Sequence, residues 1–194
     1  MAVFYSILMC VNFICALSIL LSGISKRKSH FFALSCLNIL LFVFHWISLE
    51  LLSTSDINES LKLSKLHLTC IILGFPLYVF IFGTWTEFKQ TKLATILFSG
   101  FSLPLVFLNL WSATSLRYGE DAKLIAYDTI FSEPAYLLSG EVGAYFTYIH
   151  LGYGIAAIFL AFSAFRFYQR KQTDLSAILI FTIILQVASS YIGY

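Results

Sequence analysis

Six stretches of this chain run for about twenty residues with scarcely a charge, the length at which an α-helix rising 1.5 Å per residue crosses a bilayer core of about 30 Å. They fall at 2–22, 31–52, 66–85, 93–111, 145–165 and 175–194. Short polar segments part them: KRK after the first, a turn with Asp56, Asn58 and Glu59 after the second, and Glu87, Lys89 and Lys92 after the third. A loop at 112–143 separates the fourth from the fifth. The pattern predicts an all-α, polytopic membrane helix bundle. The sixth run is still apolar at Tyr194, with no basic flank, which reads as a fragment with at least one more helix to follow.

Charge gives the bundle a direction. With the amino terminus outside, the inner segments hold Lys26, Arg27, Lys28, Lys89, Lys92, Arg166, Arg170 and Lys171, against Lys62, Lys65, Arg117 and Lys123 outside. That bias follows the positive-inside rule. The 112–143 loop, with Glu120, Asp121, Asp128, Glu133 and Glu141, is then external and acidic. Its segment 122–131 reads as extended, a hairpin lid over the outer face. The first run has its basic cluster behind it, the reverse of a cleaved signal peptide, so it is kept as a helix. Only 11% of residues are charged and 59% are hydrophobic, whereas a soluble domain is about a quarter charged. A net charge of +2 provides no nucleic-acid footprint. Cys10, Cys15, Cys36 and Cys70 lie within apolar runs and form no C-x-x-C pair, so they read as packing residues.

Polar groups within a membrane face the bundle interior, and ionisable ones are functional candidates. At about 100° per residue, Asn38, His45 and Ser48 share a face of helix two, and Phe146, His150 and Tyr153 a face of helix five. Thr182, Gln186, Ser189, Ser190 and Gly193 form a stripe in helix six. Tyr145, Tyr148, His150 and Tyr153 cluster at the outer end of helix five, with Glu50 near that of helix two. Three readings stand for His45 and His150: an interhelical hydrogen bond, a polar anchor in an outward pocket, or a metal or haem pair. His67, at the outer start of helix three, reads as solvated, and Glu87 as pairing locally with Lys89. Pro76 and Pro104 place irregularities in helices three and four. No H-E-x-x-H, G-x-S-x-G or P-loop is present, so neither catalysis nor a cofactor is expected of this chain.

The stretches SKLHLTCIILGFPLYVFIFGTWTE, FLNLWSATS and YFTYIHLGYG, in that order, are similar to the third, fourth and fifth helices of a known sensor region. This is the amino-terminal seven-helix region that precedes bacterial histidine kinases and diguanylate cyclases, and the resemblance covers about 25–171. Asn109, Tyr145, His150 and Tyr153 fall on its motif positions, whereas Leu110 and Trp111 stand where a histidine often follows the asparagine. The resemblance implies six transmembrane helices of seven, and a covalently linked cytoplasmic effector. It further implies a bacterial inner membrane, a homodimer as one assembly, and a small ligand or membrane state as the stimulus. The expected pocket comprises His45, Glu50, Asn109, Tyr145, His150 and Tyr153. Two rival functions stay open: a small transporter or channel, and a haem-binding electron-transfer protein using His45 and His150.

Overall fold

A computed structural model of the chain describes residues 2–26, 29–113, 115–128, 134–141, 143, 146–174, 176–177 and 180. Within these lie α1 (Ala2–Lys26), α2 (Ser29–Ser53), α3 (Ile57–Trp85), α4 (Thr91–Trp111) and α5 (Phe146–Gln169). All five are long and apolar enough to cross a membrane. The expected helix at 175–194 lies almost wholly outside the described residues. Leu, Ile, Val and Phe cover the outer faces of α1 and α4, from Val3, Phe4 and Ile7 to Ile96, Leu97 and Phe107. Apolar exposure on this scale belongs to a protein that has lipid as its solvent.

At the centre stands α3. It packs against α2, α4 and α5, whereas α1 packs on α2. Leu68, Ile72, Phe75, Val79 and Ile81 of α3 are buried, with Ile72, Val79 and Ile81 fully so. Its 29 residues make it roughly 43 Å long, about 13 Å more than a bilayer core. The extra length is at its start, nine residues before the expected boundary at 66. Asp56 caps the helix, its carboxylate accepting from the Asn58 N–H at 2.8 Å. Glu59, three residues on, accepts from Thr54 Oγ1 at 2.9 Å. Asp-x-x-Glu at a helix start is a capping pattern, so the polar stretch first read as a turn is the opening of α3.

Close approaches set the helix spacing. A Cβ on Gly152 would meet Phe75 of α3 at 3.0 Å and Phe101 of α4 at 3.2 Å, which shows how tightly α5 is drawn in. A Cβ on Gly83 would lie 2.6 Å from Thr91 Oγ1, so the α3–α4 turn closes only over glycine. At this same end Arg170 donates to Thr86 O and to Glu87 Oε2, each at 3.0 Å. The partner of Glu87 is therefore Arg170, reached across from the end of α5, rather than Lys89. Thr86 and Glu87 break from helical geometry as α3 ends, which aims both acceptors at α5.

The segment between α4 and α5 holds two strands, β1 (Lys123–Asp128) and β2 (Pro134–Ser139), paired antiparallel with Lys123 opposite Ser139 and Asp128 opposite Pro134. An extended lid was expected over 122–131, and β1 occupies most of that span. The helical class is thus amended by one hairpin. It packs on α2 and α3, at the end where α2 finishes and α3 begins.

Candidate functional site

Because α3 starts at Ile57, His67 lies almost three turns inside it and not at a solvated boundary. Its ring stacks on Phe44 of α2, with centroids 4.1 Å apart and planes 27° from parallel. Its Nε2 is 3.1 Å from Ser48 Oγ. Ser48 donates its single proton to Phe44 O at 2.8 Å, so its oxygen is left to accept from Nε2–H. That assignment satisfies both contacts and fixes the His67 tautomer. His45, one turn before Ser48, sets its ring edge-on to Phe44 at 5.4 Å and tilted to Tyr5 of α1 at 6.1 Å. Its Nδ1 is buried without a hydrogen-bond partner. His45 and Arg117 lie near His67. The structure thus gathers Tyr5, Phe44, His45, Ser48, His67 and Arg117 below the hairpin.

Beside this cluster Asn109 acts as a clamp. It is fully buried. Its Nδ2 donates to Lys65 O at 2.7 Å and to Thr69 Oγ1 at 3.1 Å, and its Oδ1 accepts from the Leu116 N–H at 3.1 Å. The first two bonds tie α4 to α3; the third ties the loop to both. Leu116 is consequently inserted among Leu68 and Ile72 of α3, Leu105 of α4 and Ile149 of α5. Lys65 Nζ also donates to Ser112 O, and Ser64 Oγ donates to Ser115 Oγ at 3.4 Å. Further out, Gly143 N–H donates to Arg117 O and Gly119 N–H to Glu141 O, joining the strand ends to the entry of α5. Arg117 lies 5.4 Å from the Tyr118 ring centre. Burial pushes the Tyr118 phenol above its ordinary pKa of 10.0, and the Arg117 charge opposes that rise.

The expected pocket is only partly assembled. On α5, Tyr153 sets its ring edge-on to Phe75 at 5.2 Å, with His150 6.0 Å away on the same face. Tyr145 lies outside the described residues. Glu50 is exposed on α2, and its backbone carbonyl accepts from Thr54 N–H and Ser53 Oγ. Asn109 has three of its four hydrogen-bonding positions occupied by the protein itself, so it positions the loop. The histidine beside His45 is His67, and α2 and α5 each pack on α3. Tyr5, Phe44, Ser48, His67, Arg117 and Leu116 are residues that the expected pocket omitted. The Asp-x-x-Glu at 56–59 was the signal for His67, since it moves the helix start outward.

Chemically the cluster offers a buried imidazole nitrogen with spare capacity, an ordered His–Ser pair, a nearby guanidinium and aromatic walls. That suits reversible binding of a small molecule with an apolar body and a polar head. Among the described residues no three His, Cys, Asp or Glu side chains gather in a way that would hold a metal ion. Compared with known proteins, the chain matches no family model, no curated protein and no solved structure.

Proposed function

We propose that this chain is the membrane-embedded sensory region of a bacterial signalling protein, lying in the inner membrane with its amino terminus and hairpin outside. A small ligand enters beneath the hairpin, hydrogen-bonds His45 and rests against Tyr5, Phe44 and His67. Binding shifts α2 against α3, and the movement passes along α3 to a cytoplasmic effector that follows in the chain. The observation that carries this reading is the buried, unpartnered His45 Nδ1 beside the ordered His67–Ser48 pair. An unmet buried donor or acceptor costs about 1–3 kcal/mol, and a ligand that meets it recovers part of that. Its neighbour α3 is in contact with α2, α4 and α5, so a displacement there has a route through the bundle.

The interior of α3 favours sensing over transport. Ile72, Phe75, Val79 and Ile81 close it with apolar side chains below the polar cluster. A transporter needs polar groups at mid-membrane depth.

The test is thermal stability of the full chain in nanodiscs against a panel of C4–C12 carboxylates, amides and amines. A binding member present at a hundred times its Kd stabilises the fold by about 2.7 kcal/mol. His45→Phe is expected to abolish that increment while leaving the unliganded midpoint within about 1 kcal/mol. A panel-wide absence of stabilisation, or stabilisation indifferent to His45→Phe and His67→Phe, contradicts the reading.

A further inference from the structure

The end of the bundle opposite the hairpin carries a second group of unsatisfied chemistry, unrelated to the sensory cluster. Phe162, Arg166 and Arg170 follow one another at four-residue spacing on one face of the α5 terminus. Arg170 is engaged by Thr86 O and Glu87 Oε2, so the one carboxylate of the α3–α4 turn is already used. Among the described residues Arg166, one turn further into the bundle, makes no ion pair, and its Nε is buried without a hydrogen-bond partner. Its guanidinium carbon is 5.7 Å from the centre of the Phe162 ring.

Phe162 in turn meets Phe88 edge-on at 5.7 Å, and Phe88 meets Phe159 at 6.0 Å. Phe88 belongs to the α3–α4 turn, where Lys89 follows it and Lys92 opens α4; both lysines are exposed. Three cations are thus carried on the α3–α4 turn, the start of α4 and the end of α5, the turn and α5 meeting through Phe88 and Phe162; Glu87 is taken by Arg170, and the exposed Asp174 follows the end of α5. A guanidinium does not neutralise itself by losing a proton, and a half-buried cation lacking an anion is costly at the edge of a membrane. Planar N–H groups match a phosphate best. The surrounding surface is apolar: Ile155, Ile158, Phe162 and Phe165 of α5 are exposed.

We propose that Arg166, Lys89 and Lys92 form a site for the phosphate of an anionic phospholipid. The headgroup rests over Phe88 and Phe162, and the acyl chains run along Ile158 and Ile155. The lipid supplies the anion that Arg166 lacks and braces the α3–α4 turn against the end of α5. The continuous apolar face assigns the phosphate to a lipid and not to a soluble ion.

Native mass spectrometry of the full chain in a non-ionic detergent tests this, with phosphatidylglycerol, phosphatidylcholine or inorganic phosphate as the added probe. One phosphatidylglycerol is expected to be retained per chain, about tenfold more tightly than phosphatidylcholine. Arg166→Gln is expected to weaken that retention about tenfold, and Lys123→Gln, which removes one charge at the hairpin end, to leave it unchanged. Equal losses in the two variants reduce the effect to net charge and overturn the site. Equal retention of both lipids, or phosphate bound without lipid, also overturns it. Circular dichroism checks that the variants fold. Should Arg166→Gln lose helicity, the Lys89→Gln/Lys92→Gln double variant carries the test, and undiminished retention there overturns the proposal.

Discussion

Asn109 joins three separate pieces of backbone and side chain: Lys65 O, Thr69 Oγ1 and the Leu116 N–H. Replacing it with Ala leaves the buried Leu116 N–H without its partner and frees Leu116 from its seat. Asn109→Ala is expected to cost about 2–4 kcal/mol, read as a lower unfolding midpoint in mild denaturant, with faster hydrogen exchange at 115–119. A loss below about 0.5 kcal/mol would show that the clamp is incidental. Tyr118 provides a pH signature outside the membrane. Its pKa is raised by burial, so above the ordinary value the unfolded chain loses a proton that the folded chain keeps. Its stabilising contribution is therefore complete below pH 10 and lost as pH rises through the folded pKa. Tyr118→Phe is expected to flatten the alkaline decline in stability, and an unchanged slope refutes that assignment. At this scale the sequence was a partial guide. Periodicity placed His45 and Ser48 on one face, and they do share a site. It could not choose among histidines, because the histidine beside His45 comes from a helix that starts nine residues ahead of its apolar run.

Among the elements, α3 decides how the others sit, and its two ends are controlled differently. At the hairpin end a carboxylate cap and the Thr54–Glu59 bond start the helix early. At the other end the Gly83–Thr91 approach folds α4 back. Gly83→Ala forces its methyl into Thr91 and is expected to destabilise the turn by about 1–3 kcal/mol. Thr91→Ala removes the two nearest atoms, so the double variant is expected to recover most of the loss. Urea unfolding of the four proteins in a double-mutant cycle checks this, and simple additivity would rule out the contact as the cause. Helix number and order through α5 were legible because lipid imposes a length on each apolar run. Boundaries were less legible, since polar residues at 57–65 extend a helix as readily as they leave it. The hairpin was legible as an extended lid at 122–131, but its second strand was not placed, because β2, PAYLLS, has no alternation to betray it.

For the whole molecule, the proposed function requires that one end of the bundle receive a ligand and the other report it. The apolar runs revealed the membrane class, and the basic residues of 26–28, 89–92 and 166–171 carry the expected orientation. The central place of α3 was not legible, because packing on it is a property of the assembled bundle, and the proposed coupling between ends depends on that packing. Two conformations with different ligand affinity are required, since equal affinity shifts nothing. The most direct measurement is the distance between spin labels at Gln90→Cys and Gln172→Cys, in a background free of the native cysteines. It is taken in nanodiscs with and without the tightest-binding member of the C4–C12 panel. A shifted distance distribution is expected at saturating ligand, and no shift once His45 is replaced by Phe. An unchanged distribution at full occupancy would contradict the proposed function, leaving a binding site with no route to an output.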